Sequence, residues 1–208
     1  MYKLVIFDFD GTLADSALWM ARELNPLARR FGFRQVTQED IQVMRGQRTR
    51  EILQTLDVPH WKLPFIARHL RRRFAEDADS IQLFPGAKAL LRRLAGQGVV
   101  LALVSSNSAA NVRRILGPEA AALIEHYACG ASLFGKAAKF RKVMRAARVQ
   151  ACETLCIGDE TRDIEAAREA GLACGAVAWG YASREILAKV GPTWLFDTPD
   201  EVAARLAA

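Results

Sequence analysis

Short apolar runs alternate with longer amphipathic stretches along most of this chain. Five of the runs contain few or no polar positions. Runs of this kind are typical of strands buried on both faces, as in a parallel sheet, and periodic apolar residues between them predict connecting helices. The pattern predicts an α/β fold, a Rossmann-like parallel sheet flanked by helices and joined by right-handed crossovers. The five runs lie at residues 4–7, 99–104, 154–157, 173–179 and 194–196, with a weaker strand expected near 127–131.

Residues 17–80 interrupt this alternation, because their pattern is almost entirely helical. Helical periodicity is present at 16–31, at 49–56 and from Pro59 to about residue 75. Thr37 has the sequence spacing of an N-terminal cap for one further helix. The segment is therefore predicted to be all-α, with no strand of its own.

The sheet pattern resumes after this segment, where Pro85 and Gly86 punctuate the chain. A chain of 208 residues can hold one core domain and a smaller inserted domain. We predict an α/β core made of residues 1–16 and 81–208, with a helical cap domain at 17–80.

Composition points to a protein with a sizeable core, since 51% of the residues are hydrophobic. The sequence has no apolar stretch long enough to span a bilayer, and its first residues do not resemble a signal peptide. These features lead us to expect a cytoplasmic protein with no membrane partner. Cys129, Cys152, Cys156 and Cys174 form no Cys-x-x-Cys pair, so we expect buried free thiols and no zinc site.

The charge balance favours anionic partners, because 29 Lys and Arg residues outnumber 23 Asp and Glu residues, for a net charge of +6. The basic residues are dispersed and no nucleic-acid-binding motif is present, so no nucleic-acid partner is expected. The run at 71–73 is interpreted as a solvated helix face. A small phosphorylated metabolite is the more economical anionic partner. The sequence leaves the oligomeric state open.

Polar side chains follow three of the predicted strands at the point where each strand ends. Asp8 and Asp10 follow the first strand, Ser105 the second and Asp159 the next. Ligands of parallel α/β sheets bind at the carboxyl ends of the strands, so these residues are expected to converge. Asp8 and Asp10 are two residues apart and would point to the same side of a regular strand. Crowded carboxylates repel unless a cation such as Mg2+ holds them.

The first motif reads Asp8-Phe9-Asp10-Gly11-Thr12-Leu13-Ala14-Asp15-Ser16. It resembles the opening motif of the haloacid dehalogenase superfamily of phosphohydrolases, in which the first aspartate is a nucleophile and the second a general acid/base. The resemblance assigns these roles to Asp8 and Asp10. From the residues themselves, Gly11 supplies a turn, and Asp15 and Ser16 are good N-caps for the helix that follows.

The resemblance also implies a metal site and a phosphate site. Mg2+ would be held by Asp8, the carbonyl of Asp10 and Asp159, with Asp163 as an auxiliary ligand or as a residue that orients the ligands. The phosphate would be bound by Ser105, which directly follows its strand, with Ser106 as an alternative. Lys136 is favoured over Lys139 as the phosphate lysine because Lys136 is expected to precede a helix that contains Lys139. The remaining substrate- or phosphate-binding candidates are Thr12, Asn107 and the loop residue Arg45.

The function implied is a Mg2+-dependent phosphatase that hydrolyses a small phosphomonoester through an aspartyl-phosphate, similar to the phosphoglycolate phosphatases. The dehalogenases of the superfamily lack an aspartate at the position of Asp10, so Asp10 favours phosphoryl transfer. Two alternatives remain open. One is a phosphosugar mutase of the β-phosphoglucomutase type, and the other is a non-catalytic module that binds a phospho-ligand or a protein.

Overall fold

The computed structural model describes residues 2–130 and 135–206. Its strands are β1 (Leu4–Phe7), β2 (Ala14–Asp15), β3 (Gln82–Leu83), β4 (Val100–Val104), β5 (His126–Ala128), β6 (Thr154–Gly158), β7 (Ala173–Val177) and β8 (Trp194–Phe196). Its helices are α1 (Ala17–Phe31), α2 (Gln38–Met44), α3 (Thr49–Thr55), α4 (Leu63–Glu76), α5 (Ala87–Gly96), α6 (Ala109–Ala122), α7 (Gly135–Ala147), α8 (Thr161–Ala170), α9 (Arg184–Val190) and α10 (Pro199–Leu206).

Six of the strands form one parallel sheet in the order β5-β4-β1-β6-β7-β8. The prediction of a Rossmann-like parallel sheet is confirmed. β1 lies in the middle of the sheet, where it pairs with β4 on one side and β6 on the other. Its four residues are fully buried, which explains the uninterrupted apolar run. The weak strand expected at 127–131 is the shorter β5, and residue 131 lies outside the described residues.

Helices cover both faces of this sheet, and β1 contributes alternately to each. Val5 and Phe7 pack into a hydrophobic cluster with residues of α5, α6 and α10. Leu4 and Ile6 pack into a second cluster with residues of α7, α8 and α9. Burying the central strand between two helical layers fixes the position of its carboxyl end, where Asp8 begins.

Residues 17–80, the helical segment, contain α1 to α4 and no strand. The segment has a hydrophobic cluster of its own, built around Leu27, Met44 and Ile66. The helix predicted to open at Pro59 begins at Leu63, because a 3-10 turn occupies His60–Lys62. The division of the chain into a core domain and a cap domain stays a prediction.

Two features of the chain near this segment differ from expectation. β2 and β3 form a two-stranded antiparallel ribbon that joins the two ends of the segment. Each strand has only two residues, which is too short to show an alternating pattern in the sequence. Asp15 lies in β2, and the Ser16 side chain caps no helix although Ser16 immediately precedes α1.

The cysteines are free among the described residues, but only Cys156 and Cys174 are buried. Cys152 is exposed because it lies in the 3-10 turn Ala151–Glu153 at the surface, which corrects the expectation for that residue. None of the helices described here has the length and apolar character needed to cross a bilayer.

Candidate active site

The turn after β1 places Asp8 and Asp10 at the carboxyl edge of the sheet. The amide of Asp8 still donates to the carbonyl of Ile157, 2.8 Å away, so Asp8 is held in register with β6. Gly11 has a positive φ of 80°. A Cβ atom at Gly11 would lie 2.2 Å from Oδ2 of Asp159. The glycine is therefore required both by the turn and by the closeness of the second carboxylate.

Asp159 follows β6 directly and is fully buried. The hydroxyl of Thr12 donates to its Oδ1 at 2.8 Å, and the backbone N–H of Tyr181 donates to its Oδ2 at 2.8 Å. Burial raises the pKa of Asp159 well above its ordinary value, and the nearby charges of Glu160 and Asp8 raise it further. The Thr12 hydroxyl thus orients a carboxylate, and the role of Thr12 in binding phosphate stays a prediction.

Asp163 lies in the first turn of α8 and is fully buried. Its Oδ2 accepts a hydrogen bond from the backbone N–H of Glu160 at 3.0 Å, as a capping residue does. Its Oδ1 lies 2.5 Å from Nζ of Lys136. Asp163 therefore acts as a helix cap and as an ion-pair partner at once.

Lys136 connects the carboxylate that follows β1 with the one in the first turn of α8. Its Nζ lies 2.8 Å from Oδ2 of Asp8 and 2.5 Å from Oδ1 of Asp163. Burial alone would lower the pKa of Lys136, but Asp163 and Asp8 outweigh it and raise the pKa. Lys136 lies within α7, not before it as predicted. Lys139 donates instead to the backbone carbonyls of Ser105, at 2.6 Å, and Gly130.

The three carboxylates of Asp8, Asp159 and Asp163 form one buried acidic cluster. Each offers an oxygen atom, and these atoms lie within 4.8 Å of one another. Burial raises the pKa of Asp8, and Lys136 counteracts it only in part. A buried cluster of hard oxygen donors carries excess negative charge, so these residues fit a divalent cation. The Asp10 side chain is not in the cluster, and the role of its carbonyl stays a prediction.

The side chain of Asp10 belongs to a separate network of side-chain hydrogen bonds. Ser16 Oγ donates to its Oδ1 at 3.3 Å, and Ser105 Oγ donates to its Oδ2 at 3.4 Å. The hydroxyls of Ser16 and Tyr181 are 2.7 Å apart. The pKa of Asp10 is raised to about 7, because burial and the Asp8 charge disfavour the ionised form more than the hydrogen bond from Ser16 favours it.

The turn after β4 holds the predicted phosphate-binding serines and Asn107. Ser105 is buried, and its Oγ accepts from the backbone N–H of Asn107 at 2.9 Å. Asn107 Oδ1 accepts from the backbone N–H of Ser108 at 2.9 Å and from Nδ2 of Asn111 at 3.0 Å. Ser106 is exposed. The Ser105 and Asn107 side chains therefore shape the turn, and Ser106 is the most accessible of the three.

A cavity of about 410 Å³ opens onto these groups. The described residues that line it include Asp8, Asp10, Ser105, Ser106, Lys136 and Arg162. Arg162 was not among the sequence candidates. The signal that could have indicated it is its position three residues after Asp159, at the carboxyl end of β6. Tyr181 was also missed, because nothing in its local sequence indicates a contact with Ser16, 165 residues away.

Arg45 is not among the described residues that line this cavity. Its guanidinium donates to the carbonyl of Gly180 at 3.3 Å, and its own carbonyl accepts from the amide of Ser183 at 2.7 Å. These bonds attach the helical segment to the loop after β7. Arg45 thus contributes to a contact between two parts of the chain, and its contact with substrate stays a prediction.

Two further contacts attach the helical segment beside the acidic cluster. The hydroxyl of Thr49 donates to Glu160 Oε2 at 3.2 Å, and Arg48 lies 3.5 Å from Glu165. Both partners belong to the region where α8 begins, next to Asp159 and Asp163. The segment therefore lies close to the carboxyl edge of the sheet.

Comparisons with known proteins agree with this geometry. A sequence model described as "Haloacid dehalogenase-like hydrolase" matches residues 5–177. Phosphoglycolate phosphatase of Synechococcus elongatus is 31% identical over 201 residues, which cover 96% of this chain and 95% of that protein.

Two solved structures with the same fold are a haloacid dehalogenase-like family hydrolase from Streptococcus pneumoniae and a protein from Haemophilus somnus titled a predicted phosphoglycolate phosphatase. The first has a TM-score of 0.82 at 20% identity, covering 99% of this chain and 98% of that one. The second has a TM-score of 0.77 at 23% identity, covering 100% and 98%.

Proposed function

The chain belongs to the haloacid dehalogenase-like hydrolase family and is a phosphatase, and we propose that it hydrolyses a small phosphomonoester through an aspartyl-phosphate intermediate. One observation carries the proposal. Asp8 lies in a buried acidic cluster, in contact with Lys136, at the floor of a cavity that Asp10 also lines. A nucleophile, a proton donor and a cation are thereby brought together.

Asp8 is the proposed nucleophile. Its carboxylate attacks phosphorus, a bond forms between an aspartate oxygen and phosphorus, and the bond from phosphorus to the leaving oxygen breaks. Lys136, 2.8 Å from Oδ2 of Asp8, holds the carboxylate in place and offers positive charge to the phosphoryl oxygens. The hydrogen bond from the backbone N–H of Asp8 to the carbonyl of Ile157 in β6 fixes the direction of attack.

Asp10 is the proposed general acid and base. A pKa of about 7 leaves a large protonated fraction near neutral pH, which suits donation of a proton to the leaving alkoxide. The ionised Asp10 then takes a proton from the water that attacks the aspartyl-phosphate, and inorganic phosphate leaves. Ser16 and Ser105 hold the two oxygens of Asp10 during these steps.

Asp8, Asp159 and Asp163 would hold the Mg2+ that is typical of this family, with the carbonyl of Asp10 as a further ligand. Their buried oxygens have the chemistry that this ion prefers. When bound, Mg2+ supplies charge that offsets the repulsion between the carboxylates and a phosphate. Removal of the ion with a chelator is expected to abolish phosphate release, and added Mg2+ to restore it.

The substrate class follows from the cavity and the relatives. A cavity of about 410 Å³ with Lys136 and Arg162 at its wall suits a small anion. The curated relative from Synechococcus elongatus is named phosphoglycolate phosphatase, so 2-phosphoglycolate is the first candidate. We further propose that the helical segment is a cap domain, which is supported by its own hydrophobic cluster and its polar contacts at Thr49 and Arg48.

The test is a screen of phosphate release from phosphorylated metabolites, with product analysis for phosphosugars. Asp8→Asn is expected to lower kcat/KM at least about 1000-fold, because the nucleophile is lost. Asp15→Asn is the matched control, since Asp15 is an exposed aspartate of the same motif. Isomerised phosphosugar without released phosphate would indicate a mutase. A folded protein with no activity on any compound would indicate a binding module.

A further inference from the structure

A second cavity, of about 570 Å³, lies within the helical segment and shares none of its lining residues with the catalytic cavity. It is formed by the end of α1, the 3-10 turn before α4, and α4. We call it the basic pocket. Its aromatic residues are Phe31, Trp61 and Phe65, and its basic residues are Arg30, Lys62, Arg68 and Arg72, with His69 between them.

The aromatic side chains of the basic pocket are unusually accessible. Trp61 is 69% exposed and Phe65 is 48% exposed. Among the described residues, these two account for half of the large hydrophobic side chains that are exposed, and the others are Leu18 and Val43. Scattered exposed apolar side chains need no explanation, but two aromatic rings in one cavity offer a surface for a flat apolar ligand.

Each aromatic ring also has a cation close by. Arg68 lies 5.6 Å from the ring of Phe65, Lys62 lies 5.3 Å from the ring of Trp61, and Arg30 lies 5.8 Å from the ring of Phe31. Any ring system that stacks on Trp61 or Phe65 would therefore come close to positive charge. This arrangement suits a ligand with both an aromatic part and anionic groups.

Few carboxylates contact the basic side chains of the basic pocket, although Lys62 donates to the backbone carbonyl of Phe31. Within residues 2–130 and 135–206, only Arg72 of the four basic residues lies within 4.0 Å of a carboxylate, at 3.7 Å from Glu76. No acidic residue is among the described lining residues. Partial burial lowers the pKa of His69, and the charges of Arg30 and Arg72 lower it further, as expected in a positive field.

We propose that the basic pocket binds a nucleoside polyphosphate, with the base stacked on Trp61 and the phosphates on the basic side chains. The cavity volume falls in the range of small-ligand sites. A second copy of this chain is a poor occupant of a shared interface here, because it would bring the same four cations face to face. The proposal does not depend on the phosphatase activity.

The test is calorimetric titration of the 208-residue chain with ATP in EDTA, so that binding is measured without hydrolysis. Saturable binding is expected, with much weaker binding of adenosine and of tripolyphosphate alone. Trp61→Ala is expected to raise Kd at least about fivefold, since a stacking partner is lost. Arg68→Glu is expected to raise Kd about tenfold through charge reversal.

Two matched controls accompany these variants. Val43→Ala removes another exposed apolar side chain of the helical segment, and Arg145→Glu reverses an exposed charge on α7. Both should leave the Kd for ATP within twofold. Absence of saturable ATP binding, or equal binding by Trp61→Ala and Arg68→Glu proteins that melt normally, overturns the proposal. Binding of an oligothymidylate without binding of ATP overturns it in favour of single-stranded nucleic acid.

The Asp8→Asn variant distinguishes ATP binding at the basic pocket from ATP binding in the catalytic cavity. If ATP occupied the catalytic cavity, the change at Asp8 would alter its Kd while Trp61→Ala would not, and the proposal would be overturned. If ATP binds at the basic pocket, the two variants have opposite effects: Asp8→Asn loses phosphate release and keeps the Kd, whereas Trp61→Ala raises the Kd and keeps phosphate release.

Discussion

The carboxyl edge of the sheet and the basic pocket of the helical segment differ in the sign and in the burial of their charged side chains. At the sheet edge, Asp159 and Asp163 are fully buried, and Lys136 contacts Asp8 and Asp163 at 2.8 and 2.5 Å. In the basic pocket, the cations lie near the surface, and three of the four have no carboxylate within 4.0 Å among the described residues. The first region is negative and enclosed, and the second is positive and open.

The difference follows from how each region is held. The carboxylates follow strands packed between two layers of helices, so they cannot move apart to relieve repulsion. Burial raises the pKa values of Asp8, Asp10 and Asp159, and the charges of neighbouring carboxylates raise them further. The cations of the basic pocket lie on flexible side chains in contact with water, where charge costs little. Large effects of mutation are therefore expected at the sheet edge and small ones at exposed pairs.

The largest effect is expected from Lys136→Met. Removing the cation leaves Asp8 and Asp163 buried without their partner, which should destabilise the metal-free protein by about 3–5 kcal/mol. The kcat/KM for phosphate release should fall about 100-fold or more, because charge on the phosphoryl oxygens is no longer offset. Denaturant unfolding in EDTA and steady-state kinetics measure the two effects. Lys142→Met, at an exposed position of the same helix, is the control and should change neither.

The second-largest effect is expected in the pH dependence of the free energy of unfolding, to which Asp10 contributes. Its pKa in the folded protein is about 7, against an ordinary value of 3.8, so the folded state retains a proton that the unfolded state loses. The stabilising contribution is complete below pH 4 and is lost as the pH rises towards 7, at about 1.4 kcal/mol per pH unit. The free energy of unfolding in EDTA, measured from pH 4.5 to 7.5, should fall more steeply for the wild type than for Asp10→Asn. Parallel curves for the two proteins would contradict the raised pKa.

A smaller effect is expected from Tyr181→Phe, which removes one hydroxyl, 2.7 Å from that of Ser16, and keeps the backbone N–H to Asp159. The loss of stability should be about 0.5–1.5 kcal/mol. Because Ser16 orients the proton donor Asp10, kcat should fall more for an alkyl phosphate than for p-nitrophenyl phosphate, whose leaving group needs no proton. Tyr127→Phe is the control, since its hydroxyl bonds to the carbonyl of Ala121 at 2.8 Å. Equal losses for both substrates would rule out this role.

The smallest effect is expected from Arg48→Ala, which breaks an exposed ion pair with Glu165 at 3.5 Å. Stability should change by no more than about 1 kcal/mol, and the change should vanish in high salt. Thermal melts with and without added NaCl test this, alongside Arg92→Ala, which breaks an exposed pair with Glu119 at 3.6 Å. A loss as large as that of Lys136→Met would show that the segment depends on charge as strongly as the sheet edge does.

Much of the fold and part of the site could be read from local sequence. Uninterrupted apolar runs predicted the buried strands, and the order of strands and helices predicted a parallel sheet, so Asp8 and Asp159 were expected to meet. The choice of Lys136 as the phosphate lysine stays a prediction, and the reason given for it was wrong, because Lys136 lies inside α7 and does not precede it. Cys152 was misjudged because a short 3-10 turn leaves no pattern of burial.

Contacts between distant residues could not be derived in this way. The bond from Thr12 to Asp159 joins residues 147 positions apart, and that from Ser16 to Tyr181 joins residues 165 apart. Short polar side chains can satisfy many partners, so their sequence neighbours do not specify one. The same holds for Arg45, whose bonds to the loop after β7 depend on where the helical segment lies.

The alternation of strands and helices, and the carboxylates at strand ends, could be deduced from the residues alone, because periodicity and strand direction are local properties of the chain. The cation that meets those carboxylates, the hydroxyls that orient them and the second, positive cavity in the helical segment became apparent only in the folded protein. These features depend on the relative placement of elements far apart in the chain, which packing fixes and no local pattern encodes.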